Sequence, residues 1–149
     1  MSSDSSNSTV EALSALLASS YTLYLKTQNY HWNVTGPMFT ALHILFETQY
    51  SELAIAIDEI AERIRALGEF APGSLAAFAK LSSVEEESGR PAAKEMIQIL
   101  AADQELIATA ARNVIKTAES AGDEASVDLG VRRLEVHQKN AWMLTSHLE

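Results

Sequence analysis

A long stretch without a helix-breaking residue lies between Pro37 and Gly68, and it constrains the fold more than any other feature. The sequence has neither glycine nor proline between these two residues. Roughly 30 residues in one helix would span about 45 Å at 1.5 Å per residue. The average helix of a globular protein is less than half as long, so this length is typical of a helical bundle.

Three further stretches carry apolar residues every three or four positions, which is the pattern of an amphipathic helix. No stretch of strand length alternates between apolar and polar residues. The sequence therefore predicts an all-α protein with four long helices and a long connection after the second. Besides the helix from Pro37 to about Leu67, the predicted helices run from Val10 to about Asn33, from Arg90-Pro91 to about Ser120, from Glu124 or Ala125 to the C-terminus and, as a short helix inside the connection, from Ser74 to Leu81.

A four-helix bundle with one long crossover is the arrangement of ferritin-like folds. We therefore predict one ferritin-like four-helix bundle domain over residues 10–149, with a short extra helix between the second and third helices. Residues 1–9 are small and polar, so we expect a mobile N-terminal tail with Ser8 or Thr9 capping the first helix. Gly130 lies inside the predicted fourth helix and should cost about 1 kcal/mol relative to alanine there.

The bulk composition limits the function classes. The formal charge of −9 on 149 residues disfavours non-specific binding to nucleic acid and favours the attraction of cations. The absence of cysteine excludes disulfides and thiolate metal sites, and it agrees with a cytoplasmic location. We find no apolar run long enough to span a membrane and no signal peptide, so we expect no membrane association.

Two pairs of candidate metal ligands lie on the long second helix. Glu47 follows His43 by four residues, and Glu62 follows Asp58 by four, so each pair shares one helix face. Fifteen residues separate His43 from Asp58, which is about 22 Å along a straight helix. Metal bonds to nitrogen and oxygen are about 2.0–2.2 Å long, so one helix cannot bring both pairs to one ion.

Two-fold symmetry offers a solution to this separation. Each residue of one pair has a counterpart in the other pair at an equal distance from a point at Glu52–Leu53. If two copies of the helix cross antiparallel at that point, His43 meets the partner subunit's Glu62, and Glu47 meets the partner subunit's Asp58. The spacing therefore predicts two identical metal sites per dimer, each shared between subunits.

His31 can join this site from the end of the first helix, because a short connection makes the first two helices antiparallel neighbours. Histidine and carboxylate ligands with open positions suit Fe(II) or another divalent first-row ion. The alternative is that the carboxylates are ordinary surface charges and the two histidines are capping or core residues.

The residues around this cluster resemble the signature of a known family. The stretch YHWNVTGPMFTALHILFETQY and the following DEIAERI are similar to the Dps family, the DNA-binding proteins from starved cells or mini-ferritins. The match in length and helix layout covers nearly the whole chain. The resemblance implies a homododecameric shell that binds Fe(II) and oxidises it, preferably with hydrogen peroxide. The ferric mineral would be stored inside the shell, protecting DNA and the cell from oxidative damage.

The resemblance also implies roles for single residues. Trp32 is similar to a family tryptophan thought to intercept oxidising equivalents, although it could equally be an interface aromatic. Many members have aspartate at the position of Glu47, so this chain departs slightly from the pattern. No Glu-x-x-His motif occurs, which disfavours a di-iron centre inside a single bundle. By resemblance the iron ligands are His31, His43 and Glu47 of one subunit with Asp58 and Glu62 of another.

The turn into the last helix is acidic. By resemblance, Asp123, Glu124 and Asp128 line a three-fold pore that admits cations. The alternative is that acidic residues at a helix N-terminus simply stabilise the helix dipole.

The family name suggests DNA binding, but the N-terminal segment has no lysine or arginine before Lys26. With the negative charge, this predicts weak or absent DNA binding. Two other hypotheses stay open: a DNA-compacting structural protein with weak iron chemistry, possible at the nucleoid, and a dimeric helical interaction module whose carboxylates are only solvated.

Overall fold

A computed structural model of the chain describes the backbone from residue 3 to residue 149 and the side chains from residue 7 onward. In this range all regular structure is helical, which confirms the all-α prediction. The short helix in the central connection is present where the sequence predicts it. The helices are α1 (Ser3–Asn33), α2 (Phe39–Ala66), α3 (Leu75–Leu81), α4 (Ala93–Ala121) and α5 (Glu124–Thr145), and a 3-10 turn (Ser146–Leu148) follows α5.

The long helices α1, α2, α4 and α5 form the bundle, and α3 packs on the outside of α1. The ring of Phe78 on α3 lies 5.0 Å from the ring of Tyr21 on α1. One apolar stripe of each long helix faces a common core, as the three-to-four-residue spacing predicts. The largest fully buried apolar side chains include Leu13, Leu16, Leu17, Leu23, Leu42, Phe46, Ile60, Ile64, Ile97, Leu100 and Ile107.

The helix ends agree with the sequence breaks except at the N-terminus. Gly68 has a positive φ of 97°, and it follows α2 as expected of a glycine that ends a helix. By contrast, α1 begins at Ser3, so the predicted mobile tail is helical from that residue onward. Thr9 is buried inside the helix and is not its N-cap. Residues 1 and 2 of the predicted tail lie outside the described residues.

Gly130 lies where α5 packs tightly against α4. A Cβ atom at this position would lie 2.8 Å from the Cγ1 of Ile115 and 3.2 Å from the carbonyl oxygen of Ala111. Alanine would therefore improve helix propensity but would collide with the neighbouring helix.

Polar contacts join α1 to α4 and α2 to α5. The Nζ of Lys26 on α1 lies 2.8 Å from Asp103 on α4, and both side chains are buried. Arg133 on α5 donates two hydrogen bonds to Glu52 on α2, at 2.6 and 3.0 Å. His137 is fully buried beside Arg133, and burial together with the charge of Arg133 lowers the pKa of His137 to about 3.

In the described part of the chain, no helix has the length and apolar character needed to cross a membrane.

Candidate metal centre

His31 and His43 lie together at one end of the α1–α2 hairpin. The two imidazole rings stack with centroids 3.8 Å apart and an angle of 12° between their planes. The Nδ1 of His31 donates to the carbonyl oxygen of His43 at 2.6 Å, and the Nδ1 of His43 donates to the carbonyl oxygen of His31 at 2.7 Å. This crossed pair of hydrogen bonds fixes both rings and ties the end of α1 to the start of α2.

The crossed bonds also determine the tautomers. A carbonyl oxygen only accepts hydrogen bonds, so each Nδ1 carries a proton. In a neutral imidazole the other nitrogen, Nε2, then has the free lone pair that a metal ion binds. Metal-binding histidines commonly donate their second nitrogen to a backbone carbonyl in this manner. The backbone alone therefore fixes the tautomer in which both Nε2 atoms can act as metal ligands.

Aromatic side chains hold the histidine pair on two sides. The Phe39 ring stacks on His43 with centroids 5.0 Å apart. The Tyr50 ring packs edge-on against His31 at 5.3 Å. His31 is buried, and His43 is half-buried. Phe39 precedes His43 by four residues on α2, so helical spacing could have identified it. Tyr50 gives no such signal, because its contact with His31 depends on how α1 packs.

The three predicted carboxylates lie on the exposed face of α2. Glu47 is one turn beyond His43, whereas Asp58 and Glu62 lie toward the other end of the helix. Among the described residues, no group of three or more histidine, aspartate and glutamate side chains within one chain could hold a metal ion. One subunit thus brings two histidines together with Glu47 one turn away, and it leaves Asp58 and Glu62 apart from them.

Trp32 follows His31, but its side chain points to the surface with 60% of its area exposed. It lines two surface cavities of about 370 and 450 Å³ near the C-terminal end of α1. The described ring contacts link the histidines to Phe39 and Tyr50 and include none with Trp32.

The acidic residues at the start of α5 have different environments. Asp123 is buried, and its carboxylate accepts hydrogen bonds from the Ser126 backbone at 3.1 Å and from Arg63 on α2 at 2.8 Å. Burial raises its pKa, but the hydrogen bonds from Ser126 and the charge of Arg63 outweigh burial, so the pKa of Asp123 lies below its usual value. Asp123 therefore caps α5, as in the helix-dipole alternative. Glu124 and Asp128 are exposed.

Arg132 joins the start of α5 to α2 in this region. Its guanidinium pairs with Asp128 one turn earlier on α5, at 3.0 Å, and with Glu59 on α2. Hydrogen bonds to both carboxylates raise the pKa of Arg132 further above its ordinary value. Helical spacing predicts the pair with Asp128, but the contact with Glu59 needs the packing of α5 on α2.

Comparison with known proteins identifies the family. A model of the ferritin-like domain family matches residues 10–149. The chain is 34% identical over 139 residues to DNA protection during starvation protein 2 of Bacillus anthracis, covering 93% of this chain and 95% of that protein. It superposes on the crystal structure of Dps from Thermosynechococcus elongatus with a TM-score of 0.95 and 35% identity, covering 98% and 93% of the two chains. The chain belongs to the Dps family.

A second Dps structure places the family in a wider group. The Dps protein of Vibrio cholerae O1, described as a member of a broad superfamily of ferritin-like diiron-carboxylate proteins, has a TM-score of 0.94 and 30% identity. The superposition covers 100% of this chain and 94% of the Vibrio cholerae chain. The Dps resemblance read from the residues around His31 and His43 is thus confirmed, and so is the ferritin-like four-helix bundle.

Proposed function

We propose that this Dps-family protein binds Fe(II), oxidises it and stores the ferric product, which protects DNA and the cell from oxidative damage. Iron storage and DNA protection are the general functions that Dps and ferritin-like membership supports. The observation that carries the proposal is the crossed His31–His43 pair, which leaves two Nε2 lone pairs available as metal ligands beside the exposed face of α2. Iron is the substrate of this site.

The site is completed by a second subunit in this proposal. Because Asp58 and Glu62 are too distant within one chain, the partner subunit's Asp58 and Glu62 join His31, His43 and Glu47 across a two-fold axis. The exposed face of α2 supports such a contact. Ser51 and Ala54 on it are small and exposed, and Ile44 and Ile55 expose 55% and 74% of their surface. Exposed apolar residues beside small ones suit a helix–helix interface.

Each type of residue has a distinct task in the oxidation. The carboxylates supply negative charge that favours Fe(II) and the more highly charged Fe(III) product. The two imidazoles are neutral donors whose direction the crossed hydrogen bonds fix. Two Fe(II) ions give one electron each to hydrogen peroxide, the O–O bond breaks, and two protons from solvent complete two water molecules. Peroxide and Fe(II) are then consumed together, which limits the release of hydroxyl radicals.

The remaining parts of the proposal concern assembly and iron uptake. We place the mineral inside a homododecameric shell and the cation route at the start of α5, where Glu124 and Asp128 are exposed. The pore prediction also includes Asp123, whose carboxylate accepts hydrogen bonds from Arg63 and Ser126. Asp128 and Glu62 line one groove of about 340 Å³ between α2 and α5, which supports a path from that region toward Glu62.

We further propose a cytoplasmic location and weak or absent DNA binding. The charge of −9 per subunit repels phosphates, and the described N-terminal residues form a helix without a basic side chain before Lys26. A clear gel shift at neutral pH and moderate salt, without iron oxidation, would instead support a DNA-compacting protein.

A complementation experiment tests the shared site. His43→Ala and Glu62→Gln are each expected to slow peroxide-driven Fe(II) oxidation, followed by Fe(III) absorbance, because each breaks both sites of a symmetric dimer. Co-expressed, the two variants form mixed dimers in which one site has both defects and the other has none. Activity should therefore partly return in the mixture.

The control is His147→Ala, because His147 lies in the 3-10 turn after α5, where its Nδ1 donates to the Met143 carbonyl, and it is not among the proposed ligands. It should oxidise iron at the wild-type rate. Unchanged oxidation in His43→Ala would refute the site. Slow oxidation without recovery in the mixed dimers would refute its sharing between subunits. Light scattering gives the assembly mass, and a dimer would refute the shell.

A further inference from the structure

Ion pairs between arginine and carboxylate side chains connect α2 to α5. They are Arg133–Glu52, Arg132–Glu59 and Arg63–Asp123. Arg133 is itself buried and also contacts the buried His137. Arg63 binds Asp123, which is buried as well. Arg132 differs from both, because 48% of its side chain is exposed and it pairs with exposed carboxylates.

The guanidinium of Arg132 lies between two carboxylates that belong to different helices. Its Nε donates to Asp128 on α5 at 3.0 Å, and its Nη2 donates to Glu59 on α2. A positive group that bridges two carboxylates occupies the position to which a free cation would be attracted. Arg132 is therefore a built-in counter-ion for Glu59 and Asp128, and its exposure allows it to move away without disturbing the core.

The Arg132–Glu59 pair lies where two surface grooves between α2 and α5 meet. One groove of about 340 Å³ also contains Asp128 and Glu62. The other, again of about 340 Å³, also contains Glu52. In the proposed function, cations enter at the start of α5 and reach Glu62 through the first groove. A cation on this route therefore passes the guanidinium of Arg132.

We propose that Arg132 makes this route selective for divalent over monovalent cations, because it occupies Glu59 and Asp128 until a divalent cation displaces it. This inference rests on the proposed cation route. Free carboxylates attract any cation, and monovalent cations far outnumber Fe(II) in a cell. A route lined only by free carboxylates would be filled mainly by monovalent ions.

Charge decides which cations displace the guanidinium. K⁺ has the same charge as Arg132 but lacks its directed N–H donors, so it does not compete for the two carboxylates. Fe(II) has twice the charge, so its attraction to each carboxylate is about double that of a monovalent ion at the same distance. Because exposed ion pairs are weak, displacement of the guanidinium costs little. When the ion moves on toward Glu62, the guanidinium returns to Glu59 and Asp128.

Iron oxidation measured in two salts tests this inference on the assembled protein. Peroxide-driven Fe(II) oxidation is followed in potassium chloride and in tetraethylammonium chloride at equal concentration. Screening is then the same in both, but tetraethylammonium is too bulky to approach a carboxylate as closely as K⁺ does. The wild type should oxidise iron at the same rate in both salts. Arg132→Gln should be about two- to fivefold slower in potassium chloride, because K⁺ then occupies the free carboxylates.

Binding of Mn(II) provides a readout that does not depend on oxidation. Free Mn(II) gives a strong electron paramagnetic resonance signal, which decreases as the ion binds. In tetraethylammonium chloride, Arg132→Gln should bind Mn(II) about two- to fivefold more tightly than the wild type, because no guanidinium has to be displaced. In potassium chloride this gain should shrink. A purely structural role of Arg132 would not make binding depend on which monovalent cation is present.

Arg112→Gln is the matched control, because it removes the same charge from an exposed position on α4. It should behave as the wild type in both salts. Arg132→Lys keeps the charge but cannot hold both carboxylates with one planar group, so it should show a smaller difference between the salts in the same direction. If Arg132→Gln does not assemble, equal rates in both salts for Arg132→Lys overturn the inference.

Three other results would overturn the inference: a wild type that is slower in potassium chloride, an Arg132→Gln variant with equal rates in both salts, or an Arg112→Gln variant that reproduces the effect. Asp128→Asn separates these results from failure of the proposed route. If Asp128→Asn leaves Fe(II) uptake at low salt unchanged, the route is wrong and the inference fails with it. If Asp128→Asn slows uptake while Arg132→Gln does not respond to the salt, the selectivity inference alone is wrong.

Discussion

Replacing Gly130 by alanine tests whether the contact between α4 and α5 controls stability. Helix propensity alone favours Gly130→Ala by about 1 kcal/mol. The structure opposes this gain, because the new Cβ would lie 2.8 Å from Ile115 Cγ1 and 3.2 Å from the Ala111 carbonyl oxygen. Ile115 Cγ1 is close to its own backbone and cannot move far without changing rotamer, and the carbonyl belongs to α4.

The expected magnitude follows from these two opposing effects. Overpacking in a dense core typically costs about 1–3 kcal/mol. After subtracting the propensity gain of about 1 kcal/mol, Gly130→Ala should destabilise the protein by up to about 2 kcal/mol. For a chain of this size the melting temperature should fall by a few degrees, on the order of 2–4 °C per kcal/mol.

Circular dichroism melts of four proteins provide the assay: the wild type, Gly130→Ala, Ile115→Ala and the double variant. Ile115→Ala removes the colliding Cγ1, so the double variant should be more stable than the sum of the single effects predicts. Gly73→Ala is the control, because a Cβ at Gly73 meets no atom within 4 Å. A higher melting temperature for Gly130→Ala, or strict additivity in the cycle, would refute the reasoning.

Three further predictions concern buried charge and iron uptake. The folded protein holds the pKa of His137 at about 3, whereas in the unfolded chain His137 takes up a proton near pH 6.5. The free energy of unfolding, measured in urea, should therefore fall by about 2 kcal/mol from pH 7 to pH 5. His137→Gln should flatten this pH dependence, and an equally steep slope in the variant would count against the explanation. Lys26→Met leaves Asp103 buried without its cation and should lower the free energy of unfolding by about 3–5 kcal/mol. In thermal melts, the double variant Lys26→Met with Asp103→Leu should recover most of that stability. No recovery would contradict the ion-pair explanation. Asp128→Asn should slow Fe(II) uptake at low salt and have little effect at high salt, and equal rates at low salt would remove Asp128 from the cation route.

The helices could be predicted because the breaks between them depend on the backbone preferences of single residues. Pro37, Gly68 and Gly122 end or begin helices by backbone preference, which needs no knowledge of the rest of the chain. The start of α1 could not be predicted in this way. Residues 3–9 lack an apolar stripe, so composition suggested a tail, whereas a helix already formed over the following residues extends at low cost.

The proximity of His31 and His43 could be predicted from the sequence, but the local geometry of the pair could not. Helical spacing placed His43 and Glu47 on one face, and a short connection placed His31 beside them. The crossed hydrogen bonds depend on the detailed path of the backbone between α1 and α2, and sequence spacing carries no information about it. The same holds for Asp123, whose partner Arg63 lies far away in the chain. Gly130 shows the limit most clearly, because the effect of a side chain at this position on stability depends on Ile115 in another helix.

The crossed hydrogen bonds between His31 and His43 affect how often the site can be used. Since each ring is held by the other helix's backbone, the two Nε2 atoms would lose little rotamer freedom in the proposed binding of iron. In the proposed cycle they would also keep their positions when the oxidised ion leaves. The proposed centre would then reset without refolding, so we expect its turnover to be limited by the arrival and departure of ions rather than by motions of the protein.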